Sequence, residues 1–287
     1  MRSLPKPTLP PDEIFRAAIR SMSRARDQAH HLVEVPNVAA LGVLYDQTLS
    51  VTDAVALPRP MFTLARLTSE EMGRVYTYRL RRLESPIRHY YDDVLAAPDD
   101  DTCPYCGQRT AETVDHYVPQ ESFSALNVTP TNLVPACFDC NRLKGKYKPD
   151  ANDPAILHPY FDNIDHVPWL GAQIRWPRTP SQSSPPKADF EVNRSAIGTT
   201  LLADRVERHF TLLRLRRLFR SHAGQRLNAL ERRLPDVFRT SGATGVRHHL
   251  REEASSLLSY ANNYWERRLY LALLADSHYC DVHFDRR

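Results

Sequence analysis

The sequence predicts an α+β protein that is mostly α, with a small zinc-centred core of two strands and a helix between two longer helical regions. Three observations predict this. Two Cys-x-x-Cys pairs, Cys103/Cys106 and Cys137/Cys140, stand 30 residues apart. The stretch they bracket holds two short apolar runs, TVDHYVP and TNLVPA, and the second pair opens CFDCNRLKGK, which reads as a helix. On both sides, apolar residues recur every three or four positions, the period of a helix with one buried face.

Length and composition set the frame. A chain of 287 residues forms one large domain or two to three modest ones, and 42% hydrophobic with 25% charged residues is ordinary for a globular protein. Net charge is only +4, yet of 38 basic residues five are lysines and 33 are arginines. Guanidinium forks suit phosphate oxygens, although a coding bias towards arginine explains the count equally well. Four of the five cysteines fall in the two pairs, which points to zinc in a reducing compartment rather than to disulfides. The N-terminal stretch MRSLPKPTLPPDE lacks the apolar core of a secretory signal, and no apolar run approaches the ~18 residues a membrane span requires. The expectation is a cytoplasmic protein with no membrane partner.

Along the chain, the proline-rich opening is extended, because proline fixes φ and donates no hydrogen bond. From Pro11 the spacing of Ile14, Ala17, Ala18 and Met22 gives a helix, and a more apolar segment follows between Val38 and Val55. Thr68 and Glu71 form a capping box for a helix over Ser69–Leu83, and Pro86 opens the next one, PIRHYYDDVLAA. Past the cysteines, VPWLGAQIRWP alternates enough for one or two short strands, and RTPSQSSPPKAD reads as a linker. From Ser195 the chain is helical again, interrupted at Pro235 and Gly242/Gly245, with a last helix over about 245–274. The expected segments are 1–98 (helical), 99–160 (zinc core), 161–194 (short strands and linker) and 195–287 (helical).

The chemistry lies between the cysteine pairs. Four thiolates close a tetrahedral zinc and leave no position for water, so this zinc is structural. Zinc ribbons usually separate the pairs by about 15–20 residues, so the longer gap carries additional groups. Those groups are Asp115-His116 on the first strand, Asn132 at the start of the second, and Asn141 directly after Cys140. A neutral histidine is the natural base for activating water near pH 7. The Asn132 amide is suited to holding the intervening loop. The Asn141 amide oxygen and the Asp115 carboxylate are hard ligands suited to magnesium. Arg142, Lys144, Lys146 and Lys148 then supply positive charge for a phosphate backbone.

The order Cys-x-x-Cys, Asp-His, Asn, Cys-x-x-Cys-Asn, Lys-Gly resembles the HNH endonuclease family, with its ββα-metal, treble-clef-related fold, and within it the members with a four-cysteine zinc. The resemblance covers about 45 of the 287 residues. It implies that 99–160 is an HNH nuclease core, with His116 as general base and Asn132 as the loop-orienting amide. It also implies Asp115 and Asn141 as ligands of a catalytic magnesium or manganese. Many members have histidine where Asn141 stands, which bears on the preferred metal. The implied reaction is hydrolysis of DNA, with RNA an open alternative, and by analogy a role in anti-phage defence or restriction. The flanks contain no Gly-rich phosphate loop, which leaves room for a regulatory or targeting subunit. The competing expectation is a zinc-stabilised nucleic-acid-binding or assembly module whose nuclease site is inactive or partner-dependent.

Other groups read more plainly. His158, in LHPYF, is expected as a packed, hydrogen-bonded histidine, and His278, Cys280 and His283 as part of a closing segment on the core. Arginines 214, 216, 217 and 220 fit a solvated helix face as well as a phosphate-tracking one.

Overall fold

In a computed structural model of the chain, residues 1–177, 185–258 and 260–285 are described. They fall into two compact units, 1–163 and 164–287.

The first unit begins with α1 (Glu13–Arg20), which buries Ile14, Phe15, Ala17, Ala18 and Ile19, and α2 (Ala25–Leu32), which buries nothing fully. Helix α3 (Val35–Val51) starts with Pro36 in its first turn and buries Val38, Tyr45 and Leu49. Gly42 lets α3 approach the opening segment, since a Cβ there would lie 2.3 Å from Pro11 Cβ. Helix α4 (Ser69–Arg74) carries the expected Thr68/Glu71 capping box, then widens into a π-helical turn over Val75–Leu80. Helix α5 (His89–Leu95) follows.

The zinc core is two strands and a helix. Strands β1 (Thr113–His116) and β2 (Leu133–Ala136) pair antiparallel, with Thr113 opposite Ala136 and His116 opposite Leu133. Helix α6 (Phe138–Lys144) is capped by Cys137, whose sulfur accepts from the Cys140 N–H at 3.4 Å. A segment of this size has too little apolar surface to fold alone, and the structure resolves that shortage by sharing. One buried cluster joins Ile14, Met72, Tyr76 and Tyr91 of the helical region with Val114, Val128 and Leu133 of the core. The segments expected at 1–98 and 99–160 therefore form a single unit.

In the second unit, β3 (Leu170–Arg175) and β4 (Lys187–Val192) form an antiparallel pair, Leu170 opposite Val192. The reading of RTPSQSSPPKAD as linker falls largely on residues 178–184, outside the described residues, while Lys187–Asp189 belong to β4. Helix α7 (Thr200–Leu212) is capped by Thr199, and α8 (Leu215–Ser256) is the longest element among the described residues. The expected break at Pro235 does not occur. Proline removes one N–H, and the buried face through Leu227, Leu230 and Leu234 carries the helix on to Gly242, where the non-helical φ +60°, ψ −161° interrupts α8 as expected there. The last expected helix is split instead, with α8 ending at Ser256 and α9 running Trp265–Ala275. The turn between them is fixed by Asn263, whose side chain accepts from the Leu170 N–H (3.1 Å) and donates to the Val167 carbonyl (2.8 Å). Among the described residues no helix is long and apolar enough to cross a membrane.

Candidate active site

The four cysteines of the two pairs are buried, and their sulfurs all lie within 4.8 Å of one another, Cys106 and Cys137 at 4.0 Å. A tetrahedral zinc with Zn–S of about 2.3 Å sets its sulfurs about 3.8 Å apart, so the cluster has the size of one such site. Backbone turns shape it: Cys103 N–H donates to Arg109 O (2.7 Å), and Gly107, at φ +62°, donates to Cys103 O (2.8 Å). Burial pushes the Cys103 thiol up, because a thiolate there is desolvated and crowded by like charge. A bound cation removes that penalty. The fifth cysteine belongs to the other unit, where the Cys280 S–H donates to Leu273 O at 3.3 Å.

The cysteine cluster anchors the start of α6, which packs along β1, and that seam is where the remaining predicted residues gather. A cleft of about 620 Å³ is lined by Asp115, His116, Gln120, Asn141 and Lys146 from the core and by Tyr76 and Arg81 from the helical region. His116 is buried, with Nε2 at 2.8 Å from the Asn127 carbonyl. A carbonyl only accepts, so Nε2 carries the proton and Nδ1 holds the lone pair. The Gln120 side-chain amide lies 3.2 Å from that Nδ1. Tyr76 meets the imidazole edge-on at 4.4 Å between ring centroids. Burial lowers the His116 pKa to about 4, opposed by the Asn127 hydrogen bond.

Asp115 is 4% exposed and fully engaged: Tyr105 donates to Oδ2 at 2.8 Å, and the Lys144 ammonium lies 3.1 Å from Oδ1 and 3.0 Å from Oδ2. Burial raises the Asp115 pKa, and Lys144 opposes the shift by charge and by hydrogen bonding. Lys144 also donates to the His116 carbonyl at 2.6 Å. The ammonium expected at the surface for nucleic acid is thus 3% exposed and committed to β1. Arg142 and Lys148 are solvent-facing, and Lys146, paired with Glu121, stands at the cleft rim.

Asn132 is completely buried and spans the loop between the strands. Its Oδ1 accepts from the Val118 N–H (2.9 Å) and its Nδ2 donates to Leu126 O (3.1 Å). Its backbone carbonyl accepts from Tyr117 N–H (2.9 Å), extending the ladder beside His116. Asn141 donates from Nδ2 to Thr113 Oγ1 at 3.0 Å, which ties α6 to β1. Its Oδ1 accepts nothing among the described residues. A carboxylate offers about four lone-pair directions, and Lys144, Tyr105 and the His116 backbone N–H occupy those on Asp115. The Asn141 oxygen is thus the open hard donor at this seam, and a magnesium-class ion joining it to Asp115 would displace one of the hydrogen bonds on that carboxylate.

Several of these groups were invisible to sequence reasoning. Lys144 had a signal: three residues after Asn141, it shares that residue's helix face and turns towards β1. Tyr76 and Arg81 had none, because they come from a different region of the chain. His158 is packed as expected, in contact with Tyr45 Oη (3.2 Å) and the Tyr160 N–H (3.1 Å). His283 lies 2.8 Å from Glu231, and His278 packs against Trp176.

Comparison with known proteins bears directly on this seam. Residues 103–147 match the HNH endonuclease family. The HNH segment thus runs from the first zinc cysteine to just past α6 and contains both strands. Over a longer stretch the chain is similar to protein ea31 of Escherichia phage lambda, 28% identical over 224 residues, covering 73% of this chain and 73% of that protein. No solved structure gives a significant match.

Proposed function

We propose that this protein is a metal-dependent HNH endonuclease that hydrolyses phosphodiester bonds in DNA, with His116 as general base. The observation that carries the reading is the fixed tautomer of His116. With Nε2–H held by the Asn127 carbonyl at 2.8 Å, Nδ1 is the basic nitrogen, on a ring that lines the cleft. A pKa lowered to about 4 keeps that nitrogen unprotonated at neutral pH.

In the proposed reaction Nδ1 takes a proton from water as the water attacks phosphorus. The Gln120 Nε2–H donates to the Nδ1 lone pair at 3.2 Å, fixing the ring, and yields it to the incoming water. Asn132 acts on the loop rather than on substrate, by clamping the backbone that presents His116. Asp115 and Asn141 would hold a magnesium or manganese ion, which neutralises charge on the phosphate and the departing 3′-oxygen. Lys144 opposes the burial that raises the Asp115 pKa and aims the carboxylate, while Arg81 and Lys146 at the cleft and Arg142 and Lys148 outside it meet the backbone. Products carry 5′-phosphate and 3′-hydroxyl ends.

The test is plasmid cleavage with magnesium or manganese, comparing wild type with His116→Ala at equal zinc content and thermal midpoint. General-base loss lowers the rate by about 10²–10⁴-fold, and EDTA abolishes cutting. Equal rates in both proteins would remove His116 from the reaction. No cutting by the zinc-loaded wild type, with DNA still bound, would favour a binding module. A single-stranded RNA run in parallel decides between the two nucleic acids.

A further inference from the structure

The arginine-rich start of α8 lines a second cleft, in the second unit, of about 860 Å³. Five cations (Lys187, Arg214, Arg216, Arg217 and Arg220) and two carboxylates (Glu191 and Glu207) line it. Asp189 of β4 pins one of the cations, accepting from Arg216 Nε at 2.8 Å and Nη2 at 2.5 Å, with Arg220 at 3.9 Å. Arg214 and Arg217 have no carboxylate partner among the described residues. The excess charge is therefore positive, and part of it is held rigid.

Two further features belong to the same place. Arg214 is the N-cap of α8 and adopts φ +53°, ψ +37°, a left-handed conformation in which glycine or asparagine is ordinarily found. Such backbone strain tends to persist where a side chain is needed in one particular direction. From Arg217 the cleft continues along one face of α8 through Ser221 to Gly224, and a Cβ at Gly224 would meet nothing within 4 Å. Small residues beside the guanidinium row leave about 10 Å of open groove, at 1.5 Å rise per residue.

We infer that this cleft is a second nucleic-acid site, which holds the phosphate backbone through Arg214, Arg217 and Arg220. The positive end of α8 reinforces those charges. The choice of nucleic acid among polyanions rests on the nuclease reading. Guanidiniums spaced along a groove suit successive phosphates, and a planar fork binds each one bidentately.

The experiment measures binding of the full, zinc-loaded chain to a fluorescent DNA duplex without added divalent metal, over a range of salt concentration. Arg214→Ala/Arg217→Ala should raise Kd about fivefold or more, and should reduce the log–log salt slope by about 2, near 0.9 per lost phosphate contact. Arg214→Lys/Arg217→Lys should restore the slope. Arg214→Gly separates binding from folding: it relieves the strained backbone, so its thermal midpoint should not fall while its affinity does. Unchanged affinity and slope in the alanine pair would overturn the inference even if the protein cleaves plasmid. Arginine-dependent binding without cleavage would support the inference and count against the nuclease reading alone. Displacement of the duplex by micromolar ATP would overturn it in favour of a free-nucleotide site.

Discussion

Replacing Lys144 by methionine isolates the most heavily buried charge in the HNH segment. The ammonium lies 3.0 Å from Asp115, with the two side chains 1% and 4% exposed. At an effective dielectric of about 20, the attraction between unit charges at that separation is about 5.5 kcal/mol. Part of this offsets desolvation, and breaking a buried pair from one side is generally destabilising by about 3–5 kcal/mol. For a unit of 163 residues, at about 2–4 °C per kcal/mol, the midpoint should drop by about 6–20 °C. Thermal unfolding of the zinc-loaded chain, followed by near-UV circular dichroism, reads this. The pH dependence has a definite sign. The Asp115 pKa is raised in the fold, and losing Lys144 raises it further. A raised pKa means stability present at low pH and lost as pH rises through the folded value, so the deficit should be larger at pH 8 than at pH 5. Lys144→Met/Asp115→Leu should recover most of the loss, because no charge is then stranded. A deficit below about 1 kcal/mol, or one that grows towards acid, would refute the buried-pair argument, since surface pairs contribute only that much.

Other outcomes follow from the same geometry. With the His116 pKa lowered to about 4, the acid limb of kcat/KM should fall below pH 5 rather than near the ordinary histidine value of 6.5. The same shift links to stability with the opposite sign to Asp115: stability is present above about 6.5 and lost as pH falls towards 4, so His116→Gln should flatten unfolding free energy across that window. Stripping the thiolate metal, or Cys140→Ser, should abolish near-UV signal from the first unit together with cleavage. For the stripped wild type, zinc should restore the near-UV signal, and cleavage once magnesium is also added, whereas magnesium alone should restore neither, as measured by refolding with each metal.

The zinc core was readable from sequence because its information is local. Cysteine spacing announced the four-sulfur cluster, Thr113-Val114 and Leu133-Val134 marked the strands, and Cys137 placed a helix start within that cluster. The capping box at Thr68/Glu71 was legible for the same reason. What escaped reading depends on tertiary neighbours. Lysine 144 looks like its exposed neighbours Lys146 and Lys148 until the helix turns it onto Asp115. The π turn that brings Tyr76 against His116 has no propensity signature that local sequence reading could use. Pro235 shows the reverse error: a local breaker was outvoted by a long buried face.

The core shared between α1, α4, α5 and the two strands has a consequence for portability. The HNH segment is not a cassette. A graft of residues 103–147 into another scaffold would carry the chemistry but leave Val114, Val128 and Leu133 without their cover, and His116 without Tyr76. The compact unit that keeps this shared core together is residues 1–163. Any change of partner or target by recombination has its natural seam after Asn163, not at the cysteines.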